Sequence, residues 1–512
     1  MTTTLQPRSR SEVSENSRRF ASTRRLECTS WASLVPVIAF LLAPALSQES
    51  AQKPAPRDAL RTLNRPDDGY RGIWYYNQKS DDEYVYKYSG GLSTYCAKHQ
   101  PFAIYCKAVD KTFFCYGGTT KASFRRLHHM VSYYDHKTGQ VPRPTILLDK
   151  ATADAHDNPV ISMDSRGHIW IFSTSHGRSR PSYVHRSTRP YHIGTFERVM
   201  ATYRDEDGGS KPLTNFSYMQ VWQRPGEGFV AFFTHYSNPA DRTSMFMHSA
   251  DGLTWSKWQR LAAIEKGHYQ ISAARDHKAA CAFNYHPAPK GLNWRTNLYY
   301  MATTDAGKTW QTAGGQGLSL PITRPQSSAL VHDYEADQRL VYLKDLRLDG
   351  QGHPVILYIT STGFQSGPDN NPRRWKIARW NGEQWIRHRI TTSDNNYDMG
   401  SLYIEGEVWR VVGPTKAGPQ AWNPGGEMVM WTSRNSGETW RPARQLTSKS
   451  QRNHTYARRP VNAHPDFFAL WADGHGRKPS KSQLYFSNEA GQVFLLPPRM
   501  TKKFARPILV DR

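Results

Sequence analysis

The sequence predicts an all-β chain folded as a seven-bladed β-propeller with turns of the Asp-box (BNR-like) type. Three observations carry that prediction: a strand-like run that recurs along the chain, a repeated turn motif, and the scarcity of helical periodicity. Compact apolar runs occur at Thr112–Gly117, Trp170–Thr174, Phe229–Thr234, Ala280–Tyr285, Val355–Thr360, Val408–Gly413 and Phe467–Ala472. Their starts are 58, 59, 51, 75, 53 and 59 residues apart. Units of that length suit four-stranded blades, and most runs follow a turn and another short strand, as in SLYIEGEVWRVVG.

The turn motif is the second element. Thr303–Trp310 (TTDAGKTW) fits the Asp-box pattern, Ser433–Trp440 (SRNSGETW) fits it with Asn at the Asp position, and Ser249–Trp255 (SADGLTW) is one residue shorter. An Asp or Asn side chain that accepts backbone N–H bonds, a Gly at positive φ and a Trp packed beneath make a tight hairpin turn. These boxes are read as structural. Aromatic richness in a polar chain agrees with strands: 16 Trp and 27 Tyr are present while mean hydropathy is −0.70.

The N-terminal region is read apart from the fold. Arg18, Arg19, Arg24 and Arg25 precede an apolar stretch from Trp31 to Leu46 that contains Pro36 and Pro44, with a small-residue cleavage site at Ala45-Leu46-Ser47. Residues 1–47 are therefore expected to be a signal peptide, 48–66 a linker with Pro54, Pro56 and Pro66, and 67–512 the propeller. A secreted or periplasmic location follows; an uncleaved signal acting as a membrane anchor is the alternative. A monomer with no further membrane partner is expected. The formal charge is +24, and the leader accounts for +3 of it through six Arg and three acidic residues, which leaves +21. For an exported protein such an excess favours an acidic polysaccharide or oligosaccharide over nucleic acid. Outside the leader Cys96, Cys106, Cys115 and Cys281 form no CxxC pair; one disulfide can form in an oxidising compartment, with its pairing open.

The candidate site comes from hairpin symmetry. In DAHDNPVISMDSRGHIWIFSTSHG, His156 and His176 are symmetric about position 166, inside the turn Ser165-Arg166-Gly167. Antiparallel pairing would bring both to the open end of one hairpin. Tyr218 and His235 are symmetric about a turn within Pro225–Gly228, and His268 and His286 about the turn after Arg275. Equivalent hairpin ends gather on one propeller face, so these side chains are expected to line a shared cleft. Nothing here has a tight ligand spacing such as HExxH; no cofactor is required, and a structural metal ion stays open.

From Gly69 to about Phe486 the chain resembles the BNR-repeat-containing proteins that include propeller polysaccharide lyases acting on ulvan or on rhamnose–glucuronate linkages. The resemblance rests on DGYRGIWYYNQ, HDNP with HIWIFSTSHG, GHYQISAA, AFNYHP with GLNWRTNLYY, HDY with VYLKD, NYDMGSLYI and RNHTYARRPVNAHPDFFALWADGH. It implies a catalytic set of His156, His176 and Tyr218. The family's next residue is an arginine, whereas this chain presents His235 and Tyr236 at that strand end. His235 is therefore taken into the catalytic set, with Tyr269, His286, Arg295 and Arg242 as substrate-binding candidates, and Arg242 or Arg295 supplying the missing cation.

The chemistry suits a lyase. Removing the C5 proton of a uronate builds charge that a cation or hydrogen-bond donor must stabilise. Histidine and tyrosine can supply the proton transfers. Two other classes compete. A sialidase-like hydrolase shares Asp boxes but needs a Phe/Tyr-Arg-Ile-Pro motif that this chain lacks. A non-catalytic glycan-binding propeller needs only the aromatics and the charge.

Overall fold

The computed structural model describes residues 62–92, 98–178, 180–236 and 240–510, so the expected signal peptide and most of the linker lie outside the described residues. The last five residues assigned to the linker are strand: Thr62–Pro66 pairs antiparallel with Thr145–Asp149 on the outer edge of the first sheet.

Seven antiparallel sheets of four or five strands follow in chain order, each a meander except that the first takes Thr62–Pro66 as its outermost strand. Their innermost strands are Ala103–Cys106, Pro159–Met163, Ser217–Arg224, Gln270–Arg275, Leu340–Leu348, Ser401–Glu405 and Asn453–Arg458. All seven apolar runs fall on the second strand of a sheet or overlap it, where both faces are covered by neighbouring sheets. That double burial is why they read as continuous apolar runs and not as alternating ones.

The expectation of seven equivalent blades needs one correction. An eighth, two-stranded sheet, Trp74–Lys79 with Tyr86–Gly91, is wedged between the seventh and first sheets. Ile73 N–H donates to Gly117 O of the first sheet at 3.3 Å, and Thr455 Oγ1 of the seventh donates to Gly91 O at 2.8 Å. The insertion depends on backbone-to-backbone approach: a Cβ on Gly91 would lie 2.0 Å from Asp473 O. The hairpin is aromatic and then polar, so a search for apolar runs passes over it.

Among the described residues no α-helix takes part in closing the ring, and Cys106, Cys115 and Cys281 are free thiols. Val461, just past the innermost strand of the seventh sheet, donates its N–H to Ala103 O at 2.8 Å and accepts from Tyr105 N at 2.9 Å. The C-terminal segment adds Phe504–Ala505 against Val141–Pro142 and Ile508–Leu509 against Val493–Leu495.

The Asp boxes take the structural role expected. Asp251 Oδ1 accepts from the N–H groups of Leu253 and Thr254, both at 2.8 Å, and Asp305 Oδ1 accepts from Thr309 N at 2.9 Å. Trp255 beneath the first of these turns is completely buried. Gly252 has φ +77°, and a Cβ there would lie 2.9 Å from the ring of Trp170 on the preceding sheet. Each box therefore also sets the spacing between adjacent sheets.

Several histidines are buried as neutral rings. Burial pushes His268 down to about 4, and burial with Arg198 and Lys150 nearby pushes His185 down to about 3. An unfolded chain would protonate both near pH 6.5, so the unfolded state binds more protons below that pH. The urea midpoint should hold above pH 6.5 and fall as the pH drops from about 6.5 towards 4. A flat profile across that window would contradict the neutral buried rings.

Candidate functional site

The hairpin that carries the two histidines pairs in the register expected: Pro159 faces Ser173 and Met163 faces Ile169, which sets His156 against His176 beyond the strand ends. A single 3-10 turn, Ala155–Asp157, lifts His156 off the strand, and Asp154 caps it by accepting the His156 backbone N–H at 3.0 Å. The same carboxylate joins the two imidazoles. His156 Nδ1 donates to Asp154 Oδ1 at 2.5 Å and His176 Nδ1 donates to Oδ2 at 2.7 Å. The rings stack 4.0 Å apart, inclined by 15°.

Asp154 is itself anchored. Arg180 donates from Nη2 to Asp154 Oδ2 at 2.9 Å and from Nε to Asp157 Oδ2 at 2.6 Å. Burial alone would push the Asp154 carboxyl up; the two imidazoles outweigh it and hold the group well below the usual carboxylate range. Burial and the neighbouring His156 lower His176, and Asp154 opposes them. With its Nδ1 committed as donor to Asp154, a neutral His176 ring keeps its Nε2 lone pair for a further partner. The Tyr75 hydroxyl approaches the His156 ring, 2.8 Å from Nδ1 and 3.5 Å from Nε2.

Tyr218 reaches this pair through a distorted strand. Gln220 faces Phe232, one residue out of the register that would set Tyr218 against His235, and the ladder breaks between Ser217 and Gln220. Tyr218 sits in that bulge at φ +52°, a left-handed conformation uncommon for an aromatic residue and of a kind that collects at functional sites. Its ring lies 5.9 Å from His156 and 6.4 Å from His176, and its hydroxyl is 2.9 Å from that of Tyr236.

His235 does not join the cluster. Successive strand residues point to opposite faces, so Tyr236 turns towards His176 (rings 6.0 Å apart) and His235 turns towards Trp258 (5.2 Å) and Asn215. A one-residue slip of register is enough to exchange the two. The third hairpin slips likewise, Gln270 facing Phe283, and His268 lies fully buried against Asn284 O.

The remaining expected residues continue the row. Tyr269 lies 5.7 Å from Tyr218 and 5.3 Å from His286, centroid to centroid. Arg242 stands over Tyr236 at 5.3 Å and Tyr269 at 5.7 Å, and Arg295 covers Tyr269 from 4.8 Å. Both proposed cations thus flank the same tyrosine. His286 is fully buried with Nδ1 on Trp294 O, 2.9 Å away. The row opens where His176 is 28% exposed; His156 and Tyr218 lie behind it, nearly buried.

Sequence reasoning missed Asp154, Arg180, Tyr75 and the inward turn of Tyr236. Asp154 carried a signal, an Asp two residues before His156 at the start of a turn; Arg180 carried none, because its partners are set by the folded loop. Asp154, His156 and His176 lie close enough to share a cation, but the Arg180 guanidinium already occupies the carboxylate and adds positive charge. A cavity of about 610 Å³ between outer strands, lined by Arg444, Thr447, Arg452, His454 and Tyr485, shares no residue with the cluster.

The fold defines a class, the all-β propeller with Asp-box turns. Within it, the chain belongs to the BNR repeat-containing family, whose model matches residues 123–393, just over half of its length. An ulvan lyase of Nonlabens ulvanivorans is 21% identical over 445 residues, which span 76% of this chain and 86% of that protein. Among solved structures, a polysaccharide lyase of family PL25, an ulvan lyase, superposes with a TM-score of 0.61 at 18% identity, covering 84% of this chain and 96% of that one. A PL25 ulvan lyase bound to -[GlcA(1-4)Rha3S]- gives 0.62 at 17% identity over the same shares. At these identities the likeness to the solved structures establishes the fold.

The imidazole–carboxylate link can be checked directly. NMR titration should place His176 below the ordinary histidine value of about 6.5. Asp154→Asn, which removes the charge that favours imidazolium, should lower it further. A rise in that variant would show that Asp154 does not govern the ring.

Proposed function

We propose that the protein is an exported polysaccharide lyase that cleaves a uronic-acid-containing acidic polysaccharide by β-elimination. The observation that carries the reading is the stacked, Asp154-bridged pair His156–His176 set beside the hydroxyl pair Tyr218–Tyr236, with Arg242 over the ring of Tyr236. The family and the relatives named as ulvan lyases support the same class, and the saccharide bound in one solved relative contains glucuronate.

The reaction breaks the C5–H and C4–O bonds and forms a C4=C5 double bond. The C5 proton passes to a base, and the departing C4 oxygen takes a proton. Tyr218 and Tyr236 share a hydrogen bond, so one, once ionised to the phenolate, can take the C5 proton while the other gives its own to the departing C4 oxygen. Arg242 brings a fixed positive charge for the uronate carboxylate and for the charge that grows on it as C5 loses its proton. His176, at the opening, adds a neutral ring that can donate once protonated.

A glycosidase of the usual two-carboxylate kind would need both carboxyl groups free for acid and base roles. Asp154 and Asp157 are both held by Arg180, which disfavours that alternative.

Acidic polysaccharides should give an ultraviolet-absorbing unsaturated uronate on incubation with the protein. Tyr218→Phe, Tyr236→Phe and His176→Ala should each lower kcat by about 10²–10⁴-fold, the usual worth of a general acid–base group. His235→Ala, turned away from the cluster, should stay within a few-fold of wild type. Near-full activity of both tyrosine variants would sink the proton-transfer assignment, and release of saturated product would sink the lyase reading.

Substrate binding should weaken as ionic strength rises, because the attraction of a polyanion to exposed Lys and Arg is screened. Preference for a neutral glycan would exclude an acidic substrate.

A further inference from the structure

A second cluster of ligating side chains lies at the seam where the ring closes. His136 directly follows the strand His128–Asp135 of the first sheet; His464 and Asp466 sit in the loop that leads to Ala469–Gly474 of the seventh. Asp466 Oδ2 is 3.8 Å from His136 Nδ1 and 3.7 Å from His464 Nδ1. The two imidazole centroids are 3.9 Å apart.

These distances are too long for hydrogen bonds. The two nitrogen–carboxylate distances come close to the roughly 3.3–3.6 Å that separates ligand atoms held about 2.0–2.2 Å from one tetrahedral ion, and all three ligand atoms lie within 4.8 Å of one another. His136 is the stronger indication. Its side chain is 2% exposed, yet Nδ1 has no hydrogen-bond partner and faces the carboxylate. Its other nitrogen, Nε2, is 2.8 Å from the hydroxyl of the buried Thr112. When Nε2–H donates to that oxygen, Nδ1 presents a lone pair, the arrangement usual for a metal-ligating histidine. Tyr105 packs against both imidazoles, at 5.3 and 4.8 Å, and covers one side of the gap. Asp466 is 58% exposed and leaves an entry path and room for a water ligand. One competing contact exists: Asp466 N–H donates to His464 Nδ1 at 3.1 Å, and a bound ion would displace it.

We propose that His136, His464 and Asp466 form a binding site for a divalent transition-metal ion of the zinc class that staples the first sheet to the last. Two imidazoles and one carboxylate are borderline ligands that suit zinc better than calcium or magnesium. The ion ties together segments more than three hundred residues apart in sequence, near the point where the backbone bonds of Val461 join the seventh sheet to the innermost strand of the first. This inference is independent of the lyase reading.

The test uses the full-length protein stripped with a chelator and titrated with zinc by calorimetry, with thermal unfolding in parallel. Wild type should bind one zinc at this site, and zinc should raise its Tm, because a ligand that binds only the folded state stabilises it. His464→Ala and Asp466→Asn should each weaken that binding at least tenfold and abolish the zinc-dependent rise. Both positions lie on a partly exposed loop, and circular dichroism would confirm the fold. His176→Ala, which removes a ligand from the other His–Asp cluster, should bind zinc as wild type does. Absence of zinc binding, binding unchanged in both loop variants, or loss of binding in His176→Ala would each overturn the proposal.

Discussion

A four-stranded sheet covers neither its two faces nor its innermost edge, and every other feature of this molecule depends on how the ring meets that requirement. The faces are covered by neighbouring sheets, with Trp170, Trp255 and Trp375 buried between them. The inner edges are satisfied by side chains that cross from one sheet to the next. Gln220 Oε1 accepts from Ser272 N at 2.6 Å, Asn284 Nδ2 donates to Val341 O at 2.8 Å, and Asp345 Oδ2 accepts from Leu402 N at 2.8 Å. An unpaired buried backbone group costs about as much as a lost hydrogen bond, so these amides and carboxylates are structural obligations. They also make the interior of the ring polar.

The same closure gathers the candidate site. Each of three successive sheets contributes two or three side chains at its open end, and only the angular order of the sheets makes them neighbours. His156 and His176 come from the second sheet, Tyr218, Tyr236 and Arg242 from the third, and Tyr269, His286 and Arg295 from the fourth. The eighth element adds Tyr75 from the seam between first and last sheets. Asp154 gives this assembly its rigidity. One carboxylate that accepts from two imidazoles and a guanidinium leaves the rings little freedom to rotate, and a charge so paired is tolerated at low exposure.

Local distortion separates the functional residues from the regular ladder. Tyr218 leaves the β region in a bulge, and His156 leaves it in a 3-10 turn. Tyr456 repeats the feature in the seventh sheet, at φ +62° beside a break between Thr455 and Arg458. The regular strands between these points hold the frame, so strain of this kind can be kept where side chains must be re-aimed.

Sequence by itself determined the strand content, the Asp boxes, the apolar second strands and the hairpin that joins His156 to His176. Each of these rests on local periodicity or turn chemistry, which a linear chain displays. Most of the candidate row was also legible, because Tyr218, Tyr269, His286, Arg242 and Arg295 mark hairpin ends or the family resemblance. Tertiary structure alone decided the rest. Whether His235 or Tyr236 faces the cluster turns on a one-residue register, and strands with both faces buried carry no alternation to reveal it. The Trp74–Lys79 hairpin became part of the ring through glycine contacts with the last sheet. Arg180 found Asp154, and His136 found His464 and Asp466, because the folded loops and the closed ring made neighbours of residues whose spacing in sequence predicts no contact.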